Sequence, residues 1–394
     1  MKIFLVVVYY MPSTKSSAIL MYDLAQELLS KGHEVSIITI SDNIKENFTI
    51  SIEDKIRVLR IKSGRIDGAN KFQRTINEFL LSSNIWKRGK AFFDNHSCDL
   101  VVWYSPSIFF TSLIEKIKIK YNSKSYLILR DIFPQWTLET GVLKKGIIFN
   151  FFKKHELKQY KAADVIGVQS PANLNYFKLN KLDARFKIEV LYNWANSKDD
   201  KFYKSNFRSK FNLWNKVVFF YGGNIGVAQD LDNVINLAYD LRLENKAYFL
   251  IVGDGSESDR LKKLIFDLQL DNIKILESVD QNTYFSMLSE FDVGLITLDK
   301  KFKLPNFPGK MLGYLNSSKP ILASINSGND LKDVLIGYDA GMVSINGDNI
   351  QFLDNALYLI NNPDIRIKMG ANGKRLLENL FSSNHAVNQI LSHF

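Results

Sequence analysis

Residues 217–229 read Val-Val-Phe-Phe-Tyr-Gly-Gly-Asn-Ile-Gly-Val-Ala-Gln. The apolar run at the start is too short for a helix and suits a buried strand, and the glycines after it mark a tight turn into a helical pattern. Strand, glycine-rich turn and helix in that order open a Rossmann-like βα series. Gly222, Gly223 and Gly226 allow backbone amides to approach a diphosphate at the helix start, where the dipole favours anions. Asn224 and Gln229 add side-chain amides to the same turn. No strict Gly-x-Gly-x-x-Gly is present, so the turn alone is a weak signal.

Outward from this stretch, the chain repeats the pattern. A first series starts at Met1–Leu29, with a helix over Ser16–Ser30 that stops at Lys31-Gly32, a C-cap signal. Strands are predicted in the first half at Ile3–Tyr9, Glu34–Ile40, Ile56–Ile61, Leu100–Tyr104, Ser125–Arg130, Val165–Val168 and Ile188–Leu191. In the second half they are predicted at Val217–Tyr221, Tyr248–Val252, Ile273–Leu276, Val293–Thr297, Pro320–Ala323 and Gly341–Val343. Strands interleaved with helices predict parallel sheets covered on both faces. The fold class is α/β: two tandem Rossmann-like domains facing a central cleft. The polar stretch 196–206 is the expected linker, giving domains at 1–197 and 198–379, with residues from about 380 to 394 packing back on the first.

A chain of 394 residues fits two such domains. No apolar run reaches the ~18 residues of a bilayer span, and Ile3–Val8 reads as a first strand rather than a signal peptide. Cys98 is the single cysteine, which excludes an intrachain disulfide and a thiolate metal cluster and points to the cytosol. The formal charge of +10 falls wholly within residues 1–200, the remainder being balanced. The first half therefore expects an anionic partner. Five histidines show no ligand spacing, and neither a Gly-x-Ser-x-Gly elbow nor a Walker A sequence occurs.

Several motifs carry a family likeness. They are Lys31-Gly32-His33-Glu34-Val35, Val252-Gly253-Asp254-Gly255, and Pro308-Gly309-Lys310 leading to Lys319-Pro320-Ile321-Leu322-Ala323. More specific are Pro12-Ser13-Thr14-Lys15-Ser16, Trp103-Tyr104-Ser105-Pro106, Leu129-Arg130-Asp131-Ile132-Phe133-Pro134-Gln135-Trp136 and Gly167-Val168-Gln169-Ser170-Pro171. With these, the chain resembles a family-4 glycosyltransferase of the GT-B fold. It is similar to the bacterial O-antigen and capsule enzymes that transfer N-acetyl-L-fucosamine (the WbuB type). The resemblance implies a UDP-sugar donor and an acceptor sugar on undecaprenyl diphosphate. It departs from the wider family where two glutamates are usual, here Pro305 and Gly313, and where Arg and Lys grip the diphosphate, here Asn224 and Gln229.

The resulting expectations are concrete. The donor is held by Lys15, Ser16, Gly223, Asn224, Gly226, Gln229, Gly253, Asp254, Pro308, Gly309 and Gly313, with Lys310 neutralising charge on the leaving diphosphate. Asp131 accepts the proton of the acceptor hydroxyl, and Ser105, Arg130 and Ser170 meet the acceptor. Ser16, Ser105 and Ser170 serve equally well as helix caps, and Lys310 as a solvated helix-terminal lysine. Asp230-Leu231-Asp232 spells a metal motif of another glycosyltransferase fold but is read as helix capping, so neither metal nor other cofactor is expected. Lys144–Lys161 and Phe72–Phe93 mix lysines with aromatics and suit an anionic membrane surface, or two helices with aromatics turned to the core. Nucleic acid is not expected as a partner, since no recognition module appears, and the protein is placed at the inner face of the membrane. A non-hydrolysing UDP-sugar epimerase and an inactive membrane scaffold are the alternatives.

Overall fold

The structure, a computed structural model, describes residues 1–66, 68, 70–139, 142–196, 206–301 and 307–394. It divides into two units, Met1–Ala195 with Ser383–Phe394, and Asn196–Ser382. Most of the expected linker, 197–205, and Pro305 lie outside the described residues.

The first unit is built on one eight-stranded sheet. Its strands are β1 (Lys2–Val6), β2 (Glu34–Ser41), β3 (Phe48–Glu53), β4 (Ile56–Lys62), β5 (Leu100–Tyr104), β6 (Lys124–Leu129), β7 (Val165–Val168) and β8 (Ile188–Val190), in the order β3-β4-β2-β1-β5-β6-β7-β8. All neighbours are parallel except β3 and β4. The continuous apolar run of β1 follows from burial on both faces. Ile3 and Leu5 pack with Met21, Leu24 and Leu28 of helix Ser16–Ser30, while Phe4 and Val6 join Phe92, Phe93 and Trp103 on the opposite side. Each such side chain stabilises the fold by roughly 1.5–3 kcal/mol.

β3 is absent from the sequence-based reading. It forms a two-residue hairpin with β4 through Asp54 and Lys55, both at positive φ (46° and 67°). That turn needs two left-handed residues, for which Asn-Gly is the familiar signal; Asp-Lys conceals it. Phe48, Ile50 and Ile52 alternate with Thr49, Ser51 and Glu53, a period-2 strand pattern, although Ile50 and Ile52 of this edge strand are exposed.

Helix Ser16–Ser30 ends as its sequence predicts. Gly32 sits at φ +82°, its N–H donates to the Leu29 carbonyl (3.0 Å), and the His33 N–H donates to that of Leu28 (3.2 Å). Together these satisfy orphan carbonyls in a Schellman arrangement. The start differs from expectation: Lys15 is the cap residue and makes no side-chain capping bond, so Ser16 is the first helical residue, not the cap.

The second unit holds a six-stranded, wholly parallel sheet. Its strands are β9 (Val217–Gly222), β10 (Ala247–Val252), β11 (Ile273–Leu276), β12 (Val293–Thr297), β13 (Ile321–Ile325) and β14 (Gly341–Ile345), in the order β11-β10-β9-β12-β13-β14. Phe219 and Tyr221 of β9 are buried with Phe249 and Leu295. In each unit the strand order reverses once, between β1 and β5 and between β9 and β12. Loops leaving such a pair diverge and open a crevice at the carboxyl ends of the strands. Lys15, Ser105, the Gly223–Gln229 turn and Pro308–Lys310 all follow these four strands.

Helix Ser383–Leu391 belongs to the first unit. Ala386, Val387 and Ile390 are buried in the cluster that contains Ile3 and Leu5. Gln389 Nε2 donates to the Val190 carbonyl (2.7 Å), His393 Nε2 lies 2.9 Å from Glu189, and the Ser383 N–H donates to the Ala195 carbonyl (3.1 Å). Among the described residues, no helix is long and apolar enough to cross a membrane.

Candidate functional site

The glycine turn after β9 is held by its neighbours. Gly223 has φ +137°, a conformation that side-chain-bearing residues rarely adopt. Behind it, a Cβ at Gly253 would stand 1.8 Å from the Gly223 carbonyl oxygen, so the turns after β9 and β10 pack backbone to backbone only because residue 253 is glycine. The Gly223 N–H donates to the Val252 carbonyl (3.0 Å) and the Ile225 N–H to that of Asp254 (2.8 Å). These two amides are therefore engaged within the fold, where the sequence had offered them to phosphate. Gly253 and Asp254 support the turn from behind.

The far end of the turn is tied to β12. Asp230, at φ +44°, accepts from Asn346 Nδ2 (2.7 Å), and its carbonyl accepts from Thr297 Oγ1 (3.2 Å). Asp232 forms a two-armed pair with Arg260 (2.8 and 2.5 Å), which holds its carboxyl below the usual range. Neither aspartate caps the helix Asp232–Asp240 with its side chain, contrary to the sequence reading. The Asp230 carboxylate instead ties the turn to Asn346 just after β14, and that of Asp232 ties its helix to Arg260 of helix Ser258–Asp267.

Between these anchors lies a cavity of about 200 Å³. Asn224, Gln229, Pro308, Gly309 and Lys310 line it, together with Ile296, Thr297 and Leu298 at the end of β12. Asn224 Nδ2 donates to Gln229 Oε1 (2.8 Å) across Gly226, where any Cβ would meet the Asn224 amide at 2.6 Å. That bond fixes the pair so that the Gln229 NH₂ and the Asn224 carbonyl remain for a ligand. Tyr221 OH donates to the main-chain carbonyl oxygen of Asn224 (2.6 Å) and steadies the same turn, leaving the side-chain Oδ1 open.

Lys310 opens the helix Lys310–Asn316. Its Nζ lies 3.4 Å from the centroid of the Tyr221 ring and beside Gly223, where a Cβ would come within 3.5 Å of it. The ring face attracts the ammonium, but burial dominates and pushes its pKa down to about 7. Desolvation is the whole cause, with no carboxylate offsetting it among the described residues. Lys310 is thus not a solvated terminal lysine but a desolvated cation facing neutral amides, an environment that an anion would complete. Gly313, one turn on, adjoins the Tyr284 hydroxyl and is not in the cavity wall.

The first-unit residues are redistributed. Arg130 is buried; its guanidinium donates to the carbonyls of Leu191 (2.5 Å) and Tyr192 (3.3 Å) and stacks 5.4 Å from the Trp194 ring. It ties β6 to the segment after β8 and is not presented to an acceptor phosphate. Ser170 is buried and bonds through its N–H and hydroxyl to Asn173 Oδ1 (3.0 and 3.2 Å), capping helix Pro171–Leu179. Ser105 is sealed from solvent, its hydroxyl without a partner among the described residues, and no helix starts at Pro106. Asp131 keeps an exposed surface, yet surrounding protein raises its carboxyl above the usual range against the opposing pull of Arg130. The Lys15 ammonium stands 3.5 Å over the Tyr9 ring, with Ser16 exposed beside it.

Residues 204–376, nearly all of the second unit, match the family described as glycosyl transferases group 1. That match covers less than half of the chain. The chain is 27% identical over 219 residues to the "Probable glycosyltransferase WbjE" of Pseudomonas aeruginosa, covering 54% of each chain. It is 24% identical over 238 residues to the uncharacterized glycosyltransferase MJ1069 of Methanocaldococcus jannaschii, covering 58% of each. The matched stretch thus spans little more than half the length of these curated relatives. Among solved structures, sucrose-phosphate synthase from Thermosynechococcus elongatus is similar with TM-score 0.71 and 15% identity over 100% of this chain and 98% of that one. HepE of Anabaena, solved in complex with UDP, is similar with TM-score 0.67 and 14% identity over 100% and 99%. At these identities the likeness is one of fold, the GT-B architecture of two Rossmann-like units. The cavity at Asn224, Gln229 and Lys310 lies within the matched residues. Ile296–Leu298 escaped the sequence reading because their signal is topological: they end the strand that meets β9 where the order reverses.

Proposed function

We propose that the protein transfers a sugar from uridine diphosphate to an acceptor carried on a polyprenyl diphosphate. The observation that carries this reading is Lys310, a desolvated cation beside an amide pair at the β9/β12 crevice of the unit that matches the glycosyl transferases group 1 family. HepE, of like fold, has been solved with UDP and with UDP-glucose, which supports a nucleotide-sugar donor here. The Lys310 ammonium would stabilise the diphosphate as the bond from the anomeric carbon to its oxygen breaks, an effect of about 3 kcal/mol for a well-aimed donor. The Gln229 NH₂ and Asn224 carbonyl would orient the same ligand. The acceptor hydroxyl oxygen forms the new bond, and its proton passes to a base, for which Asp131, with its raised pKa, is our choice. Binding would need no metal and would persist in a chelator.

Resemblance in the motifs around Ser105, Arg130 and Ser170 supports N-acetyl-L-fucosamine as the donor sugar, and O-antigen or capsule synthesis at the inner face of the cell membrane as the setting. The test is mass-spectrometric screening of UDP-sugars with a short prenyl-diphosphate-linked amino sugar. Product from a UDP-linked N-acetylated deoxyamino sugar is expected. Absence of product with any UDP-sugar, together with no calorimetric binding of UDP, would overturn the reading.

A further inference from the structure

The first unit exposes an apolar patch assembled from two helices far apart in sequence. Phe79 ends helix Lys71–Phe79 and lies 6.3 Å, ring to ring, from Phe151 of helix Ile147–Ala162, and 5.8 Å from its His155. Phe72, Ile76 and Phe79 recur at i, i+4 and i+7, so they share one face, and all three are exposed, Phe72 at 77%. On the second helix Ile147 is 90% and Ile148 63% exposed, with Phe151 also open. The aromatics therefore do not all turn inward. Phe152 and His155 pack on Phe109, while the N-terminal turn of the helix offers its apolar side chains to solvent.

Lysines dominate the charge around this patch, since the Glu78 carboxylate beside Phe79 is held by Arg74 at 2.8 Å. Lys144 and Lys145 precede Ile147, and Lys154, Lys158 and Lys161 follow it, all exposed. The only carboxylate in residues 142–162 is Glu156, which is buried and paired with Lys153 at 2.5 Å. The other basic groups are thus uncompensated locally. Burial and the neighbouring Lys158 and Lys154 hold His155 below its usual pKa, so it adds no charge at neutral pH.

We propose that this patch docks on an anionic phospholipid bilayer, Phe72, Ile147, Ile148 and Phe151 entering beneath the headgroups while Lys144, Lys145, Lys154 and Lys158 meet the phosphates. Bulky apolar groups flanked by uncompensated lysines suit that surface. A protein interface instead ends in a rim of mixed polarity and sign. The inference deepens the proposed function by locating the side of the molecule that meets lipid. It rests on the lipid-linked acceptor for its purpose and not for its geometry.

The experiment is co-sedimentation of the full chain with vesicles of phosphatidylglycerol and phosphatidylethanolamine, against vesicles of phosphatidylcholine. Binding to the anionic vesicles alone, weakening with salt, is expected. The pair Ile147→Ser and Phe151→Ser should weaken it at least about tenfold. The pair Lys144→Ser and Lys145→Ser should weaken it by about fivefold per lysine. The lysine pair should keep the melting temperature, and both pairs should keep the UDP affinity, which separates a failure here from a failure of the donor site. Ile147→Trp, at an almost fully exposed position, should tighten vesicle binding and shift its fluorescence to the blue. No sedimentation of the unmodified protein, undiminished binding by the serine pair, or a dimer dissociated by that pair without vesicle binding would each overturn the proposal.

Discussion

Lys310 links the chemistry of the site to pH. Its pKa is depressed from the ordinary lysine value to about 7 by burial, so above pH 7 the folded protein releases a proton that the unfolded chain retains to about 10.4. The unfolded state then binds more protons, and this group's contribution to stability rises with pH across that window. Donor binding runs the other way, because the diphosphate wants the ammonium. UDP affinity should fall as pH rises from 7 to 9.5, a range above the ionisation of a terminal phosphate near 6. Titration calorimetry should show proton uptake on binding there, and Lys310→Met should abolish both the uptake and the slope. The same substitution should lower kcat about 100-fold. An unchanged pH slope in Lys310→Met would remove Lys310 from the donor site. Arg130 offers the contrasting case. Arg130→Met leaves the carbonyls of Leu191 and Tyr192 without their donor, so it should act on stability by about 2 kcal/mol and leave the apparent KM for the acceptor unaltered.

At the scale of elements, the paired turns after β9 and β10 decide what the site tolerates. A Cβ at Gly253 would collide with the Gly223 carbonyl, so Gly253→Ala should destabilise the second unit by about 1–3 kcal/mol and weaken UDP binding with it. Gly309 is open, no described residue standing within 4 Å of an added Cβ. Gly309→Ala should leave the denaturant midpoint unchanged, and any loss of UDP affinity would then report a ligand approaching that backbone. These turns and most strands were legible because continuous apolar runs and glycines are local signals. β3 showed only the alternation of Phe48, Ile50 and Ile52 with polar residues, its turn being hidden because Asp54 and Lys55 make a turn that other residues usually make. Within the site, the chain order showed Asn224, Gln229 and Lys310 but hid Ile296–Leu298, which reach the cavity by strand order alone. Arg130 ties β6 to the segment after β8 and Ser170 caps a helix, as it was equally placed to do, while the Ser105 hydroxyl is buried with no partner among the described residues. A polar residue after a strand looks the same whether it faces a ligand, caps a helix or ties two strands together.

Residues 1–195 and 383–394 form one unit. Removing residues 383–394 would uncover the cluster that holds Val387 and Ile390, a loss of several kcal/mol at roughly 1.5–3 per side chain. Calorimetry should show the transition of the first unit lowered, while UDP still raises that of the second. Loss of the UDP response on this deletion would mean that the second unit does not keep its site independently. The hydrogen bond from Ser383 to Ala195 has a consequence for how the protein is made. Ribosomes deliver the first sheet early, yet its final helix arrives only after residues 196–382 have been synthesised. If that interior segment were still a random chain, drawing its two ends together would cost on the order of 5 kcal/mol. Once it has folded, the ends are held together at no further cost. Residues 1–195 are therefore made first but completed last, and the second unit acts as the clasp that closes them.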